Sequence, residues 1–142
     1  MKEYDLYPRI RKEFPGVTVR IDAPSRPGIS DLVLVGKALT IFAEVKIAFR
    51  LVDKLAISPH QRRFIVDVAK AGGTACVLAY VQETRQWRLL TSEVVDREWP
   101  TVRSAQGIAV TIASLETRIL STAQPTGLPF GAASSSATVI AA

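Results

Sequence analysis

The chain has 142 residues, 48% hydrophobic and 22% charged, enough for one domain with a sizeable core. No apolar run is long enough to span a membrane, the start MKEYDLYPRIRKEF lacks the apolar stretch of a secretion signal, and a lone cysteine, Cys76, excludes an internal disulfide. The prediction is an intracellular (cytoplasmic), soluble protein with no membrane partner. Its net charge of +5 resides in residues 1–63, which hold 12 Lys/Arg against 7 Asp/Glu, and such a surplus marks either a phosphate-binding surface or a plain solvated basic face.

Leu6, Ile10 and Phe14 recur every four residues and predict a helix over 3–14. Pro8 is comfortable only in a first helical turn, so this helix either starts near Tyr7 or starts earlier and is kinked. VTVRI (17–21) alternates as a strand, and DAPSRPG (22–28) is a loop. Two apolar strands follow, about 29–35 and 39–46, joined at Gly36-Lys37, and then a basic loop over 47–57. Ser58-Pro59-His60-Gln61 has the form of a capping box with proline at the first helical position, opening a helix from 59 to about 71 that Gly72-Gly73 ends. TACVLAYV (74–81) reads as a buried strand and QWRLL (86–90) as its partner, with a short capped helix from Thr91 or Ser92 to Trp99. Ile108, Ile112, Leu115 and Ile119 fit a helix, whereas Ile108, Val110 and Ile112 also alternate as in a strand. From about Ser121 the Gly/Ala/Ser/Thr/Pro mixture predicts a mobile tail.

The stretch GISDLVLVGKALTIFAEVK (28–46) places three charges, Asp31, Glu44 and Lys46, in two otherwise apolar strands. A two-residue turn at Gly36-Lys37 makes Glu44 the diagonal neighbour of Asp31 on one face. A four-residue turn sets the two directly opposite, and an odd-length turn separates them. Glu44 and Lys46, two apart on one strand, share a face. Two carboxylates brought together in a half-buried strand repel at a cost of roughly several kcal/mol, which a divalent cation removes. Mg²⁺ suits one or two carboxylates plus water and phosphate oxygens, and the main-chain carbonyl of Val45 can supply a further ligand. Lys46 then sits where it can orient the attacking water. The bland reading of the same residues is a cross-strand ion pair on a solvated face.

The string G-x-x-D31-L, E44-V-K46 and S-P-x-Q61 with F-I and A-G beyond it resembles the PD-(D/E)xK nuclease superfamily, most closely the VRR-NUC group and Holliday-junction resolvases, over residues 3 to about 90. The resemblance implies a restriction-endonuclease-like α/β fold, a mixed β-sheet flanked by helices in the order αβββαβ. It further implies a Mg²⁺-dependent phosphodiesterase acting on DNA, with Mn²⁺ able to substitute. Asp31 and Glu44 would be metal ligands, Lys46 the catalytic lysine and Gln61 the supporting helix glutamine. Glu3 matches a first-helix glutamate that joins the metal site in resolvase-type relatives, with Glu13 as a lesser choice. Ser30 stands where the superfamily pattern has proline, a position that contributes no ligand. Gln61 is explained equally by its capping box, although its spacing with Phe64, Ile65 and Val68 turns it toward the core face.

Arg26, Arg50, Lys54, Arg62 and Arg63 are the candidate phosphate contacts. The expected organisation is a nuclease-like domain over 1–103, an appended helix or strand over 104–120 and a low-complexity tail over 121–142. With no separate sequence-reading domain, the expected activity is structure-directed cutting of junctions, flaps or ends in recombination, repair or replication. A homodimer is expected, with the nearly uncharged 104–120 segment as a candidate interface cover. A self-contained nuclease of this size suits a phage or mobile element. The competing readings are a non-catalytic nucleic-acid-binding module on a nuclease-like fold and a metal-dependent hydrolase of another phosphate ester.

Overall fold

Strand-forming runs alternate with turns so that each strand lies beside the next one in sequence, giving a six-stranded sheet. The computed structural model describes residues 1–21 and 27–123. The strands are β1 (Val17–Arg20), β2 (Leu32–Val35), β3 (Thr40–Ala48), β4 (Thr74–Val81), β5 (Gln86–Thr91) and β6 (Ile108–Val110). All neighbours are antiparallel except β3 and β4, which run parallel and are joined by helix α2 (Pro59–Lys70) as a crossover.

Side-chain alternation sorts the core into two layers. Leu32 and Leu34 of β2, Ile41, Ala43 and Val45 of β3, and Leu78 and Tyr80 of β4 face one side. There they pack on Leu6, Ile10 and Phe14 around helix α1 (Tyr7–Glu13), and on Leu115 and Ile119 of helix α4 (Leu115–Ala123). Ala48, Ala75, Val77 and Ala79 face the other side, against Ile65 of α2 and Val95 of helix α3 (Ser92–Glu98). Each fully buried Leu or Ile contributes roughly 1.5–3 kcal/mol through the area it removes from water, and Leu6, Ile10, Leu32, Leu34, Ile41 and Ile65 all do so.

Several expected boundaries move. Both readings of the first helix hold in part: a 3₁₀ turn, Glu3–Leu6, leads into α1, which starts at Tyr7 and so keeps Pro8 in its first turn. Strand β2 begins at Leu32 rather than 29, because Gly28 turns at φ +90° and lies against the backbone of His60. A Cβ at Gly28 would stand 2.5 Å from the His60 carbonyl oxygen, so the close approach requires glycine. Strand β3 continues to Ala48, and the segment read as a basic loop buries Leu55 and Ile57.

The hairpin between β2 and β3 takes the longer of the two even-length turns. Val35 pairs with Thr40, leaving Gly36 to Leu39 as a four-residue loop closed by Gly36 N–H to the Leu39 carbonyl at 2.8 Å. The segment 104–120 holds both a strand, β6, and the start of α4, where helix and strand had competed. Its Ile112, Leu115 and Ile119 are buried in the core, so these side chains do not form a cover for a dimer interface. Ser121 to Ala123 complete α4, and the rest of the expected tail lies outside the described residues. No helix is long and apolar enough to cross a membrane among the described residues.

Candidate active site

The register that pairs Leu32 with Ala43 sets Asp31, one step further, opposite Glu44. Asp31 still pairs with β1, since its carbonyl accepts from the Ile21 N–H at 2.9 Å. Its side chain reaches past the end of β2 to the next strand, where the Val45 N–H donates to the carboxylate at 3.0 Å. A residue's N–H and C=O leave a strand on the same side. The Val45 carbonyl therefore also faces the edge that Asp31 occupies.

Glu44 and Lys46 are buried, at 3% and 9% exposure, on the sheet face that carries α2. The Lys46 ammonium is 3.8 Å from Glu44 Oε2. Gln61 serves both readings of its sequence at once. Its Oε1 accepts from the Ser58 N–H at 3.0 Å as the capping box requires, and its Nε2 donates to Glu44 Oε2 at 3.1 Å. Glu44 Oε1 is buried without a hydrogen-bond partner, as is the Ser30 hydroxyl on the loop leading to Asp31.

That arrangement is electrostatically loaded. Burial pushes the Glu44 carboxyl up to about 9, with the nearby Asp31 carboxylate adding to the rise; Lys46 opposes it, and Glu3 adds a smaller upward push. The donor set fits a hard cation: one carboxyl group on β3 and one just before β2, a main-chain carbonyl on the same edge and an unpartnered Glu44 oxygen. Asp31, Glu44 and the Val45 carbonyl are the residues that would hold Mg²⁺.

Other expected site residues fall in different places. Glu3 is exposed in the 3₁₀ turn, and its charge is felt by Glu44 and Tyr7, but no group of three His, Cys, Asp or Glu side chains converges as a metal cluster among the described residues. Glu13 lies at the far end of α1, beside Arg9 and Arg118 in a different cleft. Arg62 is not a free phosphate contact: it pairs with Asp96 and stacks on Trp99 at 5.2 Å. Arg50 is held by Asp53, its Nε 3.3 Å from Oδ1. Arg63 and Lys54 are exposed. Arg26 lies outside the described residues. Cys76 is buried in β4 and its thiol is pushed up to about 12 by that burial, so it is no nucleophile.

Tyr7 lies within electrostatic reach of the two carboxyl groups and has no signal in the sequence. Its hydroxyl is pushed above the ordinary value first by burial and then by Asp31 and Glu44, while Arg20, stacked over its ring at 5.1 Å, opposes the shift. Beside it a cleft of about 490 Å³ is lined by Lys2, Glu3, Tyr4, Tyr7 and Ile47.

A mixed six-stranded sheet flanked by helices on both faces is a restriction-endonuclease-like fold. Among solved structures the chain is similar to Hjc, a Holliday junction resolvase from the archaeal hyperthermophile Archaeoglobus fulgidus. The two share 20% identity at a TM-score of 0.60, over 80% of this chain and 95% of that one. No family model matches the chain, and no curated protein matches it in sequence. At that identity the likeness establishes the fold.

Proposed function

We propose that the protein is a Mg²⁺-dependent DNA endonuclease directed by DNA structure. The observation that carries this reading is the buried cluster on β3: Glu44, opposite Asp31, is touched by Lys46 at 3.8 Å and Gln61 at 3.1 Å and keeps one oxygen without a partner. A solvated ion pair would not need two carboxyl groups on one buried spot.

In this reading Asp31, Glu44 and the Val45 carbonyl hold the cation. When bound, it supplies a Lewis acid that stabilises charge building on the phosphate oxygens. Gln61 fixes the Glu44 rotamer through its amide. Lys46 orients the attacking water and offsets negative charge on the phosphodiester. The exposed cations Arg63 and Lys54, with Arg26, supply phosphate contacts that position DNA without reading its sequence. Hjc is described as a Holliday junction resolvase, which supports branched DNA as the substrate class. A homodimer belongs to the same proposal, and the exposed Val17, Val19 and Val35 on β1 and β2 are the apolar surface available for it.

The test is incubation with branched, flap and linear DNA in Mg²⁺ and Mn²⁺, alongside Asp31→Ala and Lys46→Ala. Cutting by the wild type that both variants lose is the expected result. An Asp31→Ala protein that cuts as well as the wild type would end the proposal. The alternative, a non-catalytic binding module, draws on the Lys46–Glu44 ion pair, which already offsets part of the buried charge. It predicts salt-sensitive DNA binding with no cutting in either metal.

A further inference from the structure

Away from Asp31 and Glu44, three arginines from three separate elements line one cleft of about 440 Å³: Arg9 of α1, Arg85 of the β4–β5 turn and Arg118 of α4. All three are exposed, and none makes an ion pair with a carboxylate among the described residues. Glu13 also lines the cleft, so three cations face one anion. One of the three guanidinium groups is held against an aromatic ring, and a second arginine occupies a strained turn position. Arg9 stacks over the Tyr80 ring at 4.7 Å, and Tyr80 in turn packs edge-on against Trp87, the cleft's buried floor, at 5.1 Å. Arg85 adopts φ +56° and is the sole non-glycine residue with positive φ among those described. Glycine or asparagine would fill that turn position with less strain. The turn nonetheless carries an arginine, and its exposed side chain lines the cleft.

The position of the cleft relative to the carboxylates decides what it would hold. Tyr80 pairs with Ile47, the residue after Lys46, so the cleft shares its end of the sheet with the catalytic lysine. Tyr80 and Trp87 nevertheless face the α1 side, whereas Glu44 and Lys46 face the α2 side. We propose that the Arg9–Arg85–Arg118 cleft is a second phosphate-backbone site, which grips a stretch of DNA other than the one lying at Asp31 and Glu44. Branched DNA supplies such a second stretch. The contacts are of the positioning kind: exposed, planar guanidinium donors that match phosphate oxygens and carry no base readout. This inference rests on the DNA-binding part of the function proposed above.

The experiment measures binding of branched and linear DNA over a range of salt, in EDTA so that nothing is cut, for the wild type, Arg85→Gly, Arg118→Gln and the pair combined. Arg85→Gly should melt no lower than the wild type, because glycine relieves the backbone strain. It should still bind branched DNA several-fold more weakly, and the slope of log affinity against log salt should fall by about one for each arginine removed. The loss should be larger for branched than for linear DNA, and inorganic phosphate at the same total concentration should not compete. Unchanged affinity and salt slope in the combined variant would overturn the inference, as would a wild type that binds no DNA. Equal losses on branched and linear DNA, or competition by inorganic phosphate, would overturn the assignment to a second DNA stretch. Asp31→Ala, assayed in parallel for cutting, separates the two readings: an active Asp31→Ala with weakened arginine variants removes the nuclease reading alone.

Discussion

The Gln61 amide joins the cap of α2 to the carboxyl of Glu44, with Oε1 bound to the Ser58 N–H at 3.0 Å and Nε2 donating to Glu44 Oε2 at 3.1 Å. Helix position and carboxylate orientation are therefore set by one side chain. Gln61→Ala should lose both contacts, costing roughly 0.5–1.5 kcal/mol for the cap bond and roughly 10–100-fold in cutting rate or metal affinity. Gln61→Glu retains an acceptor for Ser58 but sets a third carboxylate against Glu44. It should keep most of the cap stability at acid pH and lose activity as fully as the alanine variant. Melting curves and cleavage rates for the pair separate the two roles; equal activity in Gln61→Glu and the wild type would remove the second.

Glu44 makes the stability of the metal-free protein depend on pH in an unusual direction. Its folded pKa is raised from 4.5 to about 9, mainly by burial and then by Asp31, so the folded state binds more protons than the unfolded state between those values. Stability then falls as pH rises through that window, the reverse of a salt-bridged carboxylate. In EDTA the melting temperature should drop between about pH 5 and 9, and at ~1 kcal/mol per roughly 2–4 °C the change is readily measured. Glu44→Gln should flatten the profile. A wild-type profile as flat as that of the variant would show that Glu44 ionises without cost.

The same proton should leave when a cation arrives. Mg²⁺ requires ionised carboxylates, so binding near pH 7 should release close to one proton, and affinity should rise with pH up to about 9. Calorimetry in two buffers of different ionisation enthalpy reads the proton count directly. Asp31→Asn removes a proposed ligand and the charge that adds to the effect of burial on Glu44, and should abolish binding together with the proton release. Mg²⁺ binding to the wild type with no proton exchanged would contradict the shared-proton account.

Much of this site was legible because its parts are local. The face shared by Glu44 and Lys46 follows from strand alternation, and the cap at Ser58 follows from four consecutive residues. The Asp31–Glu44 relationship was conditional on turn length, and the four-residue loop was one of two even solutions. What stayed hidden depends on contacts far apart in sequence. Tyr7 feels the charges of Asp31 and Glu44 only once the first helix packs on the sheet, and nothing in Tyr7-Pro8 marks that. Arg62 read as a candidate phosphate contact, but Asp96 and Trp99 of another element engage it. Residues 104–120 were ambiguous because both periods are present, one for β6 and one for α4.

The turn length itself has an anchor that neither strand reveals. The Glu116 carboxylate, on α4, accepts from three consecutive N–H groups of the hairpin loop: Lys37 at 3.1 Å, Ala38 at 2.6 Å and Leu39 at 2.7 Å. Successive N–H groups turned inward form an anion cradle, here filled by a carboxylate from the same chain. Bonds from Ala38 and Leu39, and less so from Lys37, hold the Glu116 carboxyl below its ordinary value, against a smaller upward push from burial. A lowered folded pKa means stabilisation that is complete above the unfolded value near 4.5 and is lost as pH falls through the folded one. Glu116→Gln should therefore melt several degrees below the wild type at neutral pH, and the gap should close in acid. Gly36→Ala places a Cβ 2.5 Å from the same carboxylate and should destabilise the hairpin by displacing it. Because the hairpin carries Asp31 and Glu44 in register, both variants should also weaken Mg²⁺ binding. A Glu116→Gln deficit that is equal at pH 3 and pH 7 would show that the charge of Glu116 is not what holds the loop.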